Sequence, residues 1–190
     1  VITFFYQRVG GFISKRMADS LIDFLFYCVE KYPDQLFIVR DHPEVSMDRV
    51  TLEKILKYEN IKIQNADQYL LPEVLLESKI AISLYSSTLY EAVSYNVIPF
   101  AFNLTGLPKF NPGFRQKGIG IEVDNFQDAI IQIDKLINNA EYYKNIQNNI
   151  ISFKSQYFIN VGNDAIINIM QAIEDCKKHT KNNSNSKLND

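Results

Sequence analysis

The sequence predicts an α/β protein, a doubly wound and mostly parallel sheet with extra helices at its C-terminal end. Three observations predict it. Short runs that are almost wholly apolar recur along the chain, as in Ile80-Ala81-Ile82-Ser83-Leu84 and Val97-Ile98-Pro99-Phe100-Ala101-Phe102. Strands this apolar are buried on both faces, which is how parallel strands read. Longer segments with apolar residues at helical spacing separate the runs, and polar turns leave the strand ends, so strand and helix alternate.

In chain order, residues 1–7 form the first strand, and Arg8-Val9-Gly10-Gly11 is the turn that leaves it. Residues 14–31 form a helix, with Met17, Leu21, Phe24, Leu25 and Cys28 on its apolar face. A second strand, 36–40, stops at Asp41-His42-Pro43. A helix over 48–58 carries Leu52, Ile55 and Leu56 on one face, and 61–64 is a third, shorter strand. Pro72 opens the next helix in its first turn, where a missing N–H costs nothing. The strand at 80–84 leads through Ser86-Ser87-Thr88 into a short helix and then the strand at 97–102. Residues 103–118, with several glycines and prolines, form a loop before a last strand at 120–123. Asp124 with Gln127 matches a capping box for a helix over 125–138. Two further amphipathic helices are expected at 141–153 and 163–176, followed by a polar, disordered tail over 177–190. The expected organisation is one domain, 1–176, and that tail.

Composition excludes several classes. A net charge of −2 gives no general reason to expect nucleic acid as a partner. The two cysteines, Cys28 and Cys176, read as reduced structural thiols of a cytoplasmic protein. No metal-ligand cluster, signal peptide or membrane span is visible, so no metal and no cofactor are expected. The chain opens on Val1, already inside a strand, which suggests a piece of something longer.

In doubly wound sheets ligands bind at the carboxyl ends of the strands, near the point where the strand order reverses. The polar turns after the strands are therefore the candidates. Ser86, Ser87 and Thr88 put hydroxyls and free N–H groups at the start of a helix, a seat for an anion such as a nucleotide phosphate. Glu91, one helical turn on, is within reach of a ribose hydroxyl, although Thr88 and Glu91 also fit a plain capping box. His42 can donate a hydrogen bond to a phosphate oxygen, and Pro43 restricts it to extended geometry. A strand-end histidine satisfying a loop carbonyl is the plainer alternative. Gly10 and Gly11 permit close approach to a ligand and Arg8 can neutralise phosphate charge. A tight turn with a solvated arginine explains them equally well. Asn103-Leu104-Thr105-Gly106 reads as a polar loop at the rim of the site.

Asp41-His42-Pro43 followed by Ser86-Ser87-Thr88-Leu89-Tyr90-Glu91-Ala92 resembles the C-terminal, Rossmann-like nucleotide-binding half of GT-B glycosyltransferases. More narrowly, it resembles bacterial sialyltransferases and capsular polysaccharide transferases, which carry a His-Pro motif and a Ser/Thr-rich motif. The resemblance implies a CMP-activated donor, with His42, Ser86, Ser87 and Thr88 on its phosphate and Glu91 on its ribose. It implies displacement at an anomeric carbon, with His42 stabilising charge on the departing phosphate and so acting as a catalytic residue. It also implies a glycan or lipid-linked acceptor, a cytoplasmic or inner-membrane-peripheral setting, and synthesis of surface polysaccharide or lipooligosaccharide. The acidic general base of those families sits in an N-terminal domain within an acidic-acidic-Gly motif, and no such triplet occurs here. Three alternatives stay open: a CDP-glycerol-type polyol-phosphate transferase, a UDP-N-acetylglucosamine 2-epimerase-like enzyme, and a non-catalytic interaction domain. The epimerase normally has Asp-Ser-Gly-Gly where this chain has Tyr85-Ser86-Ser87-Thr88.

Overall fold

A computed structural model describes residues 1–190 except 8, 12, 44–46, 105–112, 159–162 and 187–190, with 157 and 178–186 described by their backbone alone. The chain divides into two compact units, Val1–Phe153 and Lys154–Asp190. That boundary falls earlier than the one expected after residue 176.

The first unit contains β1 (Ile2–Phe5), α1 (Lys15–Lys31), β2 (Phe37–Arg40), α2 (Arg49–Ile55), β3 (Ile61–Gln64), α3 (Leu71–Glu77), β4 (Ile80–Ser83), α4 (Thr88–Ser94), β5 (Ile98–Phe102), β6 (Ile121–Val123) and α5 (Phe126–Asn138). The helix α6 (Ala140–Tyr157) begins in this unit, and α7 (Asn163–Ser186) belongs to the second. The six strands form one sheet in the order β3-β2-β1-β4-β5-β6. Every pairing is parallel. The order reverses between β1 and β4, where Ile2 pairs with Ile80 and Phe4 with Ile82.

The core on one face of the sheet is a cluster of rings. Phe24 of α1 lies 6.0 Å from Phe4, 5.8 Å from Phe100, 5.4 Å from Phe102 and 5.7 Å from Phe126, centroid to centroid. Such tilted and edge-on pairs add to the area each ring buries. Thr3 carries the opposite face, where its hydroxyl bonds Ser78 Oγ at 2.6 Å, just past the end of α3.

Caps set most of the helix starts. Ser14 accepts from the Met17 N–H and Asp48 from the Thr51 N–H. At α5 the cap is Asn125, whose Oδ1 accepts from the Asp128 N–H at 2.9 Å, so the helix starts one residue later than the Asp124–Gln127 pattern predicts. The predicted apolar face of the second helix is also corrected. This helix ends at Ile55, leaving Leu56 69% exposed beyond its last turn. The last helix runs to Ser186, well past the expected end at Cys176. Among the described residues no helix is long and apolar enough to cross a membrane.

Candidate functional site

The order of the strands fixes the order of the turns. At the carboxyl edge of the sheet, the turn after β2 carries Asp41, His42 and Pro43, the turn after β1 carries Gly10 and Gly11, and the turn after β4 carries Ser86 and Ser87, with Thr88 opening α4. The β1 turn lies between the other two. At the spacing of neighbouring strands, His42 and the serine turn are rooted about 10 Å apart, so a ligand touching both has to cross the tip of β1.

The β1 tip is built to leave room. Gly10 and Gly11 have φ of +139° and +57°, backbone that side-chain-bearing residues rarely adopt. The Gly10 N–H bonds the Ile13 carbonyl at 2.8 Å and Ile13 returns the bond at 3.0 Å, closing a tight turn. A β-carbon built on either glycine would meet nothing within 4 Å. Arg8, the cation expected here, lies outside the described residues, as do Thr105 and Gly106 of the expected rim loop.

At the β2 turn, the Asp41 carboxylate ties down the chain, taking the His42 N–H on Oδ1 at 2.9 Å and the Met47 N–H on Oδ2 at 3.1 Å. Short acidic side chains form such local turns readily. His42 is half-buried, and with Asp41, Pro43, Met47 and Asn65 it lines a cleft of about 350 Å³ between the ends of β2 and β3. Burial, and then the charges of Asp48, Asp41 and Asp19 against an opposing charge on Lys15, push the phenol of Tyr6 up.

The β4 turn departs from the expected donor set. The Thr88 N–H is held by Ser86 Oγ at 3.2 Å and the Leu89 N–H by the Ser86 carbonyl at 3.2 Å. Tyr90 and Glu91 donate to the Ser87 carbonyl at 2.9 and 3.3 Å. Four N–H groups at the helix start are thus engaged within the turn itself. The residue at the cap is Ser87, with no side-chain capping bond, so the Thr88–Glu91 capping box does not form. Glu91 is exposed in the first turn of a seven-residue helix. What this turn offers an incoming group is chiefly its hydroxyls.

Sequence reasoning passed over the link between the β1 and β4 turns. Gln7 Oε1 accepts from the Tyr85 N–H at 2.7 Å, and Gln7 Nε2 donates to the Tyr85 carbonyl. One side chain satisfies both backbone groups of the residue that precedes Ser86. Its only signal in the sequence is a carboxamide at the end of an otherwise apolar strand. Among the described residues, no group of three or more His, Cys, Asp or Glu side chains is placed to hold a metal ion.

No protein-family model matches the chain, and no curated protein matches it. Solved structures do. The chain is similar to the UDP-GlcNAc 2-epimerase from Neisseria meningitidis bound to UDP-GlcNAc, with a TM-score of 0.63 and 19% identity, over 91% of this chain and 44% of that one. It is similar to the S. aureus MnaA–UDP co-structure, with a TM-score of 0.58 and 17% identity over 77% and 38% of the two chains. A third likeness is to TarM, with a TM-score of 0.52 and 18% identity over 79% and 32%. At these identities the likeness shows the fold, a Rossmann-like α/β domain of GT-B type. The chain spans less than half the length of each of these three.

Proposed function

We propose that this chain binds the nucleotide of a sugar nucleotide at the carboxyl edge of its sheet, as the donor half of a GT-B sugar transferase. The observation that carries the proposal is the succession of the three turns. His42, the open Gly10–Gly11 tip and the Ser86–Thr88 hydroxyls follow one another along the edge that flanks the reversal of strand order, where doubly wound sheets take their ligands.

In this reading, His42 donates to a phosphate oxygen and stabilises the charge that grows there as the glycosidic bond to the donor breaks. The hydroxyls of Ser87 and Thr88 hold the same group from the β4 side, and the Glu91 carboxylate accepts from ribose. Arg8, from its place in the sequence, supplies cationic charge. A glycan or lipid-linked acceptor is deprotonated by a base from the other half of the enzyme, across an interdomain cleft. The His-Pro and serine motifs favour a CMP-activated, sialic-acid-like donor and a role in bacterial surface polysaccharide synthesis.

A second reading has its own support. Two of the similar structures hold UDP-GlcNAc or UDP, which favours a uridine nucleotide and epimerase-like chemistry. Calorimetric titration of the chain with CMP, CDP, UDP and UDP-GlcNAc separates the two. Tightest binding of CMP, weakened about tenfold or more in His42→Ala, supports the transferase reading. Tightest binding of the uridine ligands supports the second, and a folded chain that binds none of the four overturns both.

A further inference from the structure

The point where the strand order reverses is also where the sheet loses its backbone ladder. The β1–β4 register ends at Phe4 and Ile82. Beyond it the two chains continue into α1 and α4, and side chains take over the pairing. Ser83 Oγ donates to the Phe5 carbonyl at 3.3 Å. Gln7 then supplies a donor and an acceptor together to Tyr85. The carboxamide carries an acceptor and a donor on one carbon, and so can meet the N–H and the C=O of a single residue together. Holding both groups fixes the direction in which Ser86 leaves the sheet.

We infer that Gln7 is a positioning residue that aligns the Ser86–Ser87–Thr88 turn with the Gly10–Gly11 tip, so that an anionic ligand meets a preformed site. The inference rests on the nucleotide reading above for its ligand, and on the Gln7–Tyr85 pair alone for its geometry. It does not make Gln7 a contact of the ligand. The chemistry is specific to the amide. A leucine gives Tyr85 neither partner. A glutamate is isosteric but accepts only while ionised, opposing the Tyr85 carbonyl, and regains a donor when it is protonated.

Two measurements on the full chain test this. The first is amide hydrogen exchange across residues 85–91 without ligand. Gln7→Leu is expected to speed exchange at Leu89, Tyr90 and Glu91 while leaving the Phe100–Phe102 strand unchanged, and unchanged exchange at the turn overturns the positioning role. The second is titration with UDP and CMP from about pH 4.5 to about pH 8. Gln7→Leu is expected to bind about tenfold more weakly throughout, as when the aligned turn is present about a tenth of the time. The deficit of Gln7→Glu relative to the wild type at the same pH is expected to shrink as pH falls. A wild type that binds while both variants match it overturns the inference and leaves the nucleotide reading standing. A wild type that binds neither nucleotide overturns that reading and the ligand half of the inference, whatever the exchange data say of the turn. Gln7→Glu carries both tests if Gln7→Leu does not fold.

Discussion

Pro99 lies so close to Gly120 that a β-carbon on the glycine would sit 2.5 Å from the proline Cγ and 2.6 Å from its carbonyl oxygen. The direction of the neighbouring N–H explains how a proline is tolerated inside the sheet. The Ile98 N–H points toward β4, bonding Lys79 O, so the position of Pro99 that lacks a donor faces the opposite neighbour. The β6 ladder starts only at Phe100 and Ile121, so the missing donor falls just before the start of that pairing.

Gly120→Ala is therefore expected to destabilise the fold by about 1–3 kcal/mol, the usual cost of forcing a methyl group into packed atoms. Thermal or urea unfolding measures it. Adding Pro99→Ala is expected to restore only part of the loss, because the carbonyl oxygen stays in place. An unchanged midpoint in the single variant would mean that β6 is free to move away from β5.

Phe24 joins strands from the middle of the sheet to α5. Its replacement by alanine is expected to cost about 3–5 kcal/mol, with Phe126→Ala costing less because Phe126 is only half-buried. The two losses are expected to be non-additive in a double-mutant cycle, since the rings touch. Full additivity would separate α5 energetically from the sheet.

Arg40 makes the opposite prediction. It is 7% exposed at the end of β2, its Nη1 has no hydrogen-bond partner among the described residues, and burial lowers its pKa against the supporting charge of Glu73. Beside it in register, Gln64 has a buried Oε1 that likewise has no partner among the described residues. Replacing an incompletely satisfied buried charge by an apolar side chain of similar length is often neutral or stabilising. Arg40→Met is expected to leave the urea midpoint unchanged or to raise it. A loss of about 3 kcal/mol or more would show that the guanidinium holds an attraction to Glu73 stronger than its desolvation.

Acid unfolding is expected to draw on two carboxylates, the exposed Asp48 and the half-buried Asp134. Asp48 is held below the ordinary carboxylate range chiefly by hydrogen bonds from Thr51, and Asp134 by Lys31 and Tyr32. A carboxylate with a lowered native pKa adds stability above its unfolded pKa, and that contribution fades as pH drops through the native value. Asp48→Asn and Asp134→Asn are each expected to flatten the fall in stability with acid while lowering stability at neutral pH. Urea midpoints across the acid range measure both, and a slope equal to the wild type's would rule out their contribution.

The strands were legible because burial on both faces leaves an apolar run that little else produces, and each of the six falls within one residue or two of its predicted span. The three turns were legible as polar punctuation. Less legible were features that depend on a choice among chemically equal neighbours. Ser86, Ser87 and Thr88 can each cap a helix, and Asp124 and Asn125 likewise, so spacing alone does not select the cap that forms. Leu56 looked apolar and periodic, but the helix that would have buried it stops one residue earlier. The Gln7–Tyr85 pair was invisible for another reason. Its partners are 78 residues apart, and nothing local marks a carboxamide as half of a backbone mimic.

The all-parallel sheet also governs how the molecule must assemble. Ile2 has to find both Phe37 and Ile80, and no two adjacent strands are joined by a hairpin that could zip up on its own. Large loops must close before the first ladder bond forms, which is the regime of slow folding. Until then the apolar strands stand exposed with unpaired edges, and the chain is at its most vulnerable to self-association while it is being made rather than once it is folded.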